Sequence, residues 1–371
     1  VMKEKSFEEK LWDTAIKLRG GVEVPKYKYI AIGLMFLKFI SDRFEERKNE
    51  LELETKDPKN PNYCKTEKDR EYILNLPDQY RSKGAFFLKK GTRWSDLTKI
   101  VTEENIALRI DKMLLDIEKD NPSLENVLPR EFGTTSIRND NLQELINEYG
   151  RISATKEEAK DLFGRTYEFF IEKLHSLENP KGGEFFTPPS IVRLLVEILE
   201  PYQGIVYDPT CGSGGMFVQS QKFIDAHRNN QKSKGLSIYG VESQNGIWRI
   251  CKMNLAVRGI DSKNIVEANS LIQDPFPNLK ANRVLANPPF NQDQWGLNLL
   301  QDHKMFRNYG VPTDCIERGM HLTLYHSRRK LPLYQKKQSL VSIELDVSET
   351  RFMVLAPGGE NPKPELIPSK R

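Results

Sequence analysis

Beyond about residue 200 the chain changes rhythm, and that change restricts the fold more than any other feature. Short apolar runs, Ile205-Val206-Tyr207, Ser237–Glu242, Ile265–Ala268 and Arg283–Ala286, alternate with helical patterns beginning near Met216 and covering Trp248–Val257. Parallel neighbouring strands need a crossover of a dozen or more residues, whereas antiparallel neighbours need only a tight turn. Intervals of this length filled by helices predict an α/β, Rossmann-like doubly wound sheet. In such sheets ligands bind outside the carboxyl ends of the strands, so the residues that follow each run are the candidates for chemistry.

Before residue 180 no such alternation occurs. Ser6 ahead of Phe7-Glu8-Glu9 resembles a capped helix start, and Leu11, Trp12, Ala15 and Ile16 recur at helical spacing. A second helix is expected from Tyr29 to Leu51, then a polar loop over residues 52–80, then helices over Thr102–Glu118 and Asn141–Tyr149. Residues 1–150 are therefore expected to form a separate helical domain, and 371 residues leave room for two domains. A further helix is expected over Lys160–Leu177, followed by a loop at Gly182–Pro189 and a helix over Ser190–Leu199 capped by Ser190.

Composition sets the broad class. The chain is 38% hydrophobic and 29% charged, with a net charge of +4 that draws only weakly on anionic partners. Four cysteines lie far apart, outside any CxxC or Cys/His cluster, so neither a disulfide framework nor a metal site is expected. The longest apolar run, Ile30 to Leu37, is about half of what a membrane span requires, and the charged start Met2-Lys3-Glu4-Lys5 is unlike a signal peptide. A cytoplasmic protein without membrane association is the expectation.

The chemistry-bearing residues fall at successive strand ends. After the fourth run stands Asn287-Pro288-Pro289-Phe290. Two prolines can neither continue a helix nor donate to a sheet ladder, so the chain leaves the strand in a stiff turn presenting an amide, proline-flanked carbonyls and a ring. An amide oxygen and a backbone carbonyl can accept both hydrogens of a planar amino group while a ring stacks on its heterocycle. A proline-rich surface turn is the plain alternative. After the first run, Asp208-Pro209-Thr210-Cys211-Gly212-Ser213-Gly214-Gly215 opens a helix whose free N–H groups suit a carboxylate or phosphate. It lacks the Gly-Lys-Ser/Thr ending of a phosphate loop, and glycines here can also serve packing alone. Glu242 ends the second run, where a carboxylate accepts ribose hydroxyls or simply stays solvated. Gly183-Glu184-Phe185-Phe186-Thr187-Pro188-Pro189 could close over a ligand, or be a helix start with core aromatics. Asn269 follows the third run and could face an adenine ring or serve the turn itself.

This order of motifs resembles amino-group DNA methyltransferases whose cofactor half precedes the catalytic half, and most closely the modification subunit of type I restriction–modification systems. The likeness rests on residues 183–188, 208–215 and Ala286-Asn287-Pro288-Pro289-Phe290-Asn291, and on Leu11-Trp12-Asp13 through Phe39-Ile40-Ser41-Asp42-Arg43; it runs from about residue 6 to Val311. The resemblance implies S-adenosylmethionine as cofactor and the N6 amine of adenine in double-stranded DNA as substrate. By carry-over, Asp208, Gly212 and Gly214, in the turn that includes Thr210, Ser213 and Gly215, would hold the methionine part together with Phe186 and Thr187. The neighbouring Glu184, Phe185 and Pro188 complete that lid. Glu242 would bind the ribose and Asn269 would lie near the cofactor's adenine. Asn287 and the Pro288 carbonyl would accept the target amine, Pro289 would stiffen the turn, and Phe290 would stack on the base.

The implied partners are a specificity subunit, a second modification subunit and a restriction subunit. Two alternatives keep part of this picture: an impaired subunit acting only in assembly, and a methyltransferase of protein or RNA amino groups. Residues 151–311 would form the methyltransferase domain. Residues 312–371 depart from the family pattern and are expected to be a truncated or frameshifted tail, with possible strands at Leu340–Val347 and Phe352–Leu355 and a sheet left incomplete beyond the fourth strand. Its basic runs could contact DNA or be solvated.

Overall fold

The computed structural model describes residues 6–17, 24–135, 137–152, 164–173, 187–227, 235–270, 272–287, 340–347 and 350–357. The chain divides into two compact units, one of residues 1–181 with 249–260, the other of residues 182–248 with 261–371.

The first unit is helical. Helix α1 (Phe7–Lys17) opens with a capping box: Ser6 Oγ accepts the Glu9 N–H at 3.2 Å and Glu9 returns a carboxylate oxygen to the Ser6 N–H at 2.7 Å. Helix α2 (Val24–Glu54) is the unit's centre, since every residue from Ile30 to Ile40 is buried, and a helix apolar on all sides needs partners on all sides. Short helices α3 (Glu67–Leu74), α4 (Pro77–Arg81) and α5 (Trp94–Lys99) follow, then α6 (Ile106–Asp120), α7 (Asn139–Gly150) and α8 (164–173). Residues 52–80 are thus not only loop. Helix α3 buries none of its residues and is fixed instead by Thr66, whose side chain accepts the Asp69 N–H, so no apolar period announces it. Helix α4 is anchored by Tyr80, stacked on Phe44 with ring centroids 4.6 Å apart.

Two longer helices bury clean stripes: Ile106, Ile110, Met113, Leu114 and Ile117 in α6, and Leu142, Leu145, Ile146 and Tyr149 in α7. The buried charges of this unit are matched. Arg47, 4% exposed, donates to both carboxylate oxygens of Glu54 at 2.6 and 3.1 Å and to the Gln79 carbonyl at 3.1 Å. Lys38 pairs with Asp42, and Glu118 accepts the Leu128 N–H at 2.7 Å with Arg130 3.6 Å away. Arg258 ties its segment to α8 through Glu168 and the Gly164 carbonyl, at 2.8 and 2.9 Å.

The second unit is built on a six-stranded sheet: β1 (Gln203–Asp208), β2 (Gly235–Glu242), β3 (Ile265–Glu267), β4 (Arg283–Ala286), β5 (Leu340–Val347) and β6 (Thr350–Pro357), in the order β3-β2-β1-β4-β6-β5. Strands β1 to β4 are mutually parallel, with helices α9 (Pro189–Leu199) preceding β1, α10 (Gly215–Ala226) joining β1 to β2 and α11 (Asn245–Val257) joining β2 to β3. Helix α9 starts on Pro189, with Pro188 at the cap position, rather than on Ser190; the fixed φ of proline suits the first helical residue. It buries Val192, Leu195, Val196 and Leu199, and its last turn is held by Arg283, whose Nε donates to the Leu199 carbonyl at 2.9 Å. Along one sheet face Ile205, Tyr207, Tyr239, Val241, Val284 and Ala286 pack with Phe276 and Leu279. The alternate residues, Asp208 and Glu242 among them, point to the other face.

The sheet does not stop at β4. Strand β6 pairs antiparallel with β4 through Val284 and Leu355, and β5 pairs antiparallel with β6 from Leu340–Pro357 to Val347–Thr350. An open edge beyond β4 was the expectation from the tail's poor periodicity; a hairpin occupies that edge instead, because β-rich runs as short as eight residues suffice to satisfy the ladder of β4.

Candidate functional site

Strand order reverses between β1 and β4, where β1 turns its crossover toward β2 on one side and meets β4 on the other. A crevice forms at such a switch point because the connections leave in opposite directions. The residues around it come from the ends of β1, β2 and β4.

Strand β1 ends on Asp208, which is 1% exposed and accepts the Thr210 N–H at 2.9 Å. Burial pushes its carboxyl up to about 8; the Thr210 N–H opposes this and the nearby Glu242 charge adds to it. The chain then turns through Cys211, whose N–H donates to the Val241 carbonyl at 2.9 Å, and through Gly212 and Gly214 at φ +53° and +82°. Side chains are strained at such angles, and Gly214 is the N-cap of α10, so the glycines let the turn enter the helix tightly. Beneath the turn, Gly240 pairs with Asp208 across β1–β2. A Cβ on Gly240 would stand 2.9 Å from Phe217 and Ile265 and 3.0 Å from Cys211 Sγ.

Glu242 lies two residues past Gly240, beyond the end of β1, and folds over the glycine turn. Its two oxygens accept the Gln244 N–H at 2.8 Å and the Gly212 N–H at 3.1 Å, while burial pushes its carboxyl up against those bonds. Asp208 and Glu242 form no ion pair among the described residues. Two buried carboxylates, both pushed up by burial and without an ion-pair partner among the described residues, suit a ligand carrying positive charge and hydroxyl donors.

At the end of β4, Asn287 donates from Nδ2 to Thr187 Oγ1 at 3.0 Å. Its other end, Oδ1, is buried and accepts no hydrogen bond among the described residues. Asn269 is half-buried after β3, and its carbonyl accepts the Ile272 and Gln273 N–H groups at 3.1 and 2.9 Å, which makes it the pivot of a turn. Ser213 is buried within the glycine turn, and Gly215 begins α10. Glu184, Phe185, Phe186, Pro288, Pro289 and Phe290 lie outside the described residues.

Three features here have no local signature in the sequence. The Thr187–Asn287 bond joins residues 100 positions apart. Gly240 reads as an ordinary strand glycine until its neighbours are known. Glu242 holds the glycine turn through Gly212, a contact that no local pattern announces.

A doubly wound α/β sheet with a carboxylate-lined turn and an unsatisfied amide at its switch point defines a ligand-binding enzyme core. The N-6 DNA Methylase family model matches residues 158–324, past Val311 where the likeness was expected to end, and the HsdM N-terminal domain model matches residues 7–148. Among curated proteins, the chain is 37% identical over 297 residues to the type I restriction enzyme MjaIX methylase subunit of Methanocaldococcus jannaschii, covering 80% of this chain and 53% of the relative. It is 39% identical over 217 residues to the HindI methylase subunit of Haemophilus influenzae, covering 56% of this chain and 48% of that protein. The chain thus spans about half the length of these relatives. A solved type I restriction-modification methyltransferase subunit from Streptococcus thermophilus shares the fold at TM-score 0.71 and 18% identity, over 96% of this chain and 85% of the other. The chain belongs to the methylase-subunit family of type I restriction enzymes.

Proposed function

We propose that the chain is the catalytic portion of an adenine-specific DNA methyltransferase that moves a methyl group from S-adenosylmethionine to the N6 amine of a DNA adenine. The observation that carries this is the buried, unpartnered Oδ1 of Asn287 at the end of β4. A buried acceptor without a donor costs about 1–3 kcal/mol, and an incoming amino hydrogen removes that cost. S-Adenosylmethionine supplies an electrophilic methyl group on a sulfonium, together with an ammonium and two ribose hydroxyls. Those groups match the residues present: Asp208 sits where a cation restores its charge, Glu242 where hydroxyls can donate, and Gly212 and Gly214 where backbone approaches a ligand closely.

Asn287 Oδ1 and the Pro288 carbonyl would accept the two amine hydrogens, drawing the nitrogen toward tetrahedral geometry and freeing its lone pair. As the new C–N bond forms, the methyl carbon's bond to sulfur would break, leaving the cofactor as a neutral thioether, and the methylated nitrogen would shed one proton to water. Phe290 stacks on the base, and Thr210, Ser213, Gly215 and Asn269 line the cofactor side with Glu184, Phe185, Phe186, Thr187 and Pro188. No strongly basic group is needed, because alignment supplies most of the acceleration. The base must leave the duplex to reach this pocket, at a cost of a few kcal/mol.

Residues 1–150 serve as the N-terminal helical domain and residues 151–311, with the β5–β6 hairpin completing the sheet, as the methyltransferase domain. Double-stranded DNA, a specificity subunit, a second modification subunit and, for restriction, a restriction subunit are the partners, in the cytoplasm. The test is transfer of labelled methyl groups to duplex DNA by the complex assembled with its specificity subunit. Asn287→Ala is expected to lower the rate by about 10²- to 10³-fold, as loss of one preorganised polar contact does elsewhere. Undiminished transfer by that variant overturns the assignment, and a wild-type complex that assembles but never methylates favours a purely architectural subunit.

A further inference from the structure

Resting on the assignment of Asn287 as the amine acceptor, we propose that Thr187 is the positioning residue that sets which end of the Asn287 amide faces the substrate. A carboxamide has a donor end and an acceptor end of nearly the same shape, and a half-turn about its last torsion exchanges them. Only one of the two orientations serves methyl transfer to an amine. With Oδ1 toward the pocket, the amide accepts an amine hydrogen; with Nδ2 toward it, two N–H groups confront the hydrogens of the amine.

Thr187 Oγ1 stands 3.0 Å from Nδ2 and accepts its hydrogen, which occupies the donor end and leaves Oδ1 as the buried free end. A hydroxyl can also donate, but Oγ1 donating to Oδ1 would turn Nδ2 toward the pocket, so it is Thr187 acting as acceptor that keeps the substrate-facing end an acceptor. In the reverse orientation the N–H groups of Nδ2 would be buried without acceptors among the described residues, and the arriving amine would add donors to donors. In the observed one, a single acceptor is left open, and the amine is what closes it. Thr187 and the amine are thus the two ends of one chain of hydrogen bonds through Asn287: amine to Oδ1, Nδ2 to Oγ1.

The contact also spans the unit. Thr187 lies two residues before α9, whereas Asn287 stands at the end of β4, so the setting of the amide depends on a contact between segments far apart in the chain. Assigning Thr187 to the cofactor alone would predict a different phenotype, and that difference provides the test.

The complex with its specificity subunit is assayed for single-turnover methyl transfer to duplex DNA, for KM of the DNA and for S-adenosylmethionine affinity by titration. Variants are Thr187→Val, which keeps the shape and removes the hydroxyl, and Thr187→Ser, which keeps the hydroxyl. Thr187→Val is expected to slow single-turnover transfer by about 10- to 100-fold, as small misplacements of reacting groups do. The rate is read at saturating S-adenosylmethionine, so that any change in cofactor affinity does not enter it, and Thr187→Ser is expected to recover most of the rate, as removal and return of one hydrogen bond imply. A hydroxyl-independent packing role would instead leave Val at least as active as Ser, which overturns the proposal. So does a Thr187→Val complex with weakened cofactor binding and an unchanged saturated rate. Asn287→Ala run in parallel separates the two levels: if it retains transfer, the amine-acceptor assignment fails; if it is inactive while Thr187→Val transfers at the wild-type rate, only the positioning role fails. Should Thr187→Val lower the melting temperature, Thr187→Ser at equal melting temperature to Thr187→Val supplies the decisive pair.

Discussion

The helical unit and the sheet unit treat buried charge in opposite ways. In the first, Arg47 is clamped by Glu54 and capped by a backbone carbonyl, Lys38 meets Asp42, and Glu118, though burial pushes its carboxyl up, has Arg130 3.6 Å away. In the second, Asp208 and Glu242 are buried without an ion pair among the described residues, and both carboxyls are pushed up by burial against the backbone N–H groups they accept. A buried carboxylate beside a cation has its charge answered within the fold. Two at a switch point without one suit a ligand bringing positive charge and donors. The contrast locates the chemistry more sharply than burial or conformation alone.

The strongest way to break this contrast is to unpair the helical unit. Arg47→Ala leaves Glu54 with only the Asn62 amide at 2.8 Å, and a loss of about 2–4 kcal/mol is expected in denaturant unfolding, the scale for breaking a largely buried ion pair. The hydrogen bond from Arg47 holds the Glu54 carboxyl below its usual range, so this contribution is present above the ordinary glutamate pKa and fades as pH falls through the depressed one. A loss below about 0.5 kcal/mol would mean that the clamp is a surface pair in disguise.

Packing beneath the site gives the next effect. Gly240→Val forces carbon atoms against Phe217, Ile265 and Cys211, and about 1–3 kcal/mol of destabilisation is expected, together with weaker cofactor binding because the glycine turn rests on Cys211. Thermal unfolding with and without S-adenosylmethionine checks both.

The last effect carries the opposite sign. Asp208 keeps a proton when folded up to about pH 8, whereas in the unfolded chain it releases one near its ordinary value of about 4. The folded state therefore binds more protons across that window, and this group's contribution to stability declines as pH rises through it, then levels off above about 8. Asp208→Asn removes that slope, so the variant is expected to gain stability relative to wild type as pH rises through that window, while cofactor binding weakens. Stability that rises with pH equally in wild type and variant would show that Asp208 is already ionised and that the contrast between the units is smaller than drawn.

Much of the fold was legible because period and spacing are local properties. The runs at 205–207, 237–242 and 283–286 are apolar in steps that only strands satisfy, and the stripes of α6, α7 and α9 repeat at helical intervals. Helix α3 was illegible for the converse reason: it buries nothing, and only a Thr66 cap defines it. The hairpin of β5 and β6 was visible as two candidate strands, but its place beside β4 was not, since pairing partners such as Val284 and Leu355 lie far apart along the chain.

What the sequence by itself determined is the order of strand ends: a glycine turn after β1, an acid after β2 and an asparagine before two prolines after β4. Glycine, proline and short polar side chains dictate backbone conformation within a few residues, so a linear pattern suffices to read them. Only the tertiary structure decided that Glu242 grips Gly212, that Gly240 must stay bare, and that Thr187 holds one end of Asn287 while leaving the other buried and open. Hydrogen bonds and close packing depend on where distant segments meet, and burial alone turns an ordinary carboxylate or amide into a group that requires a ligand.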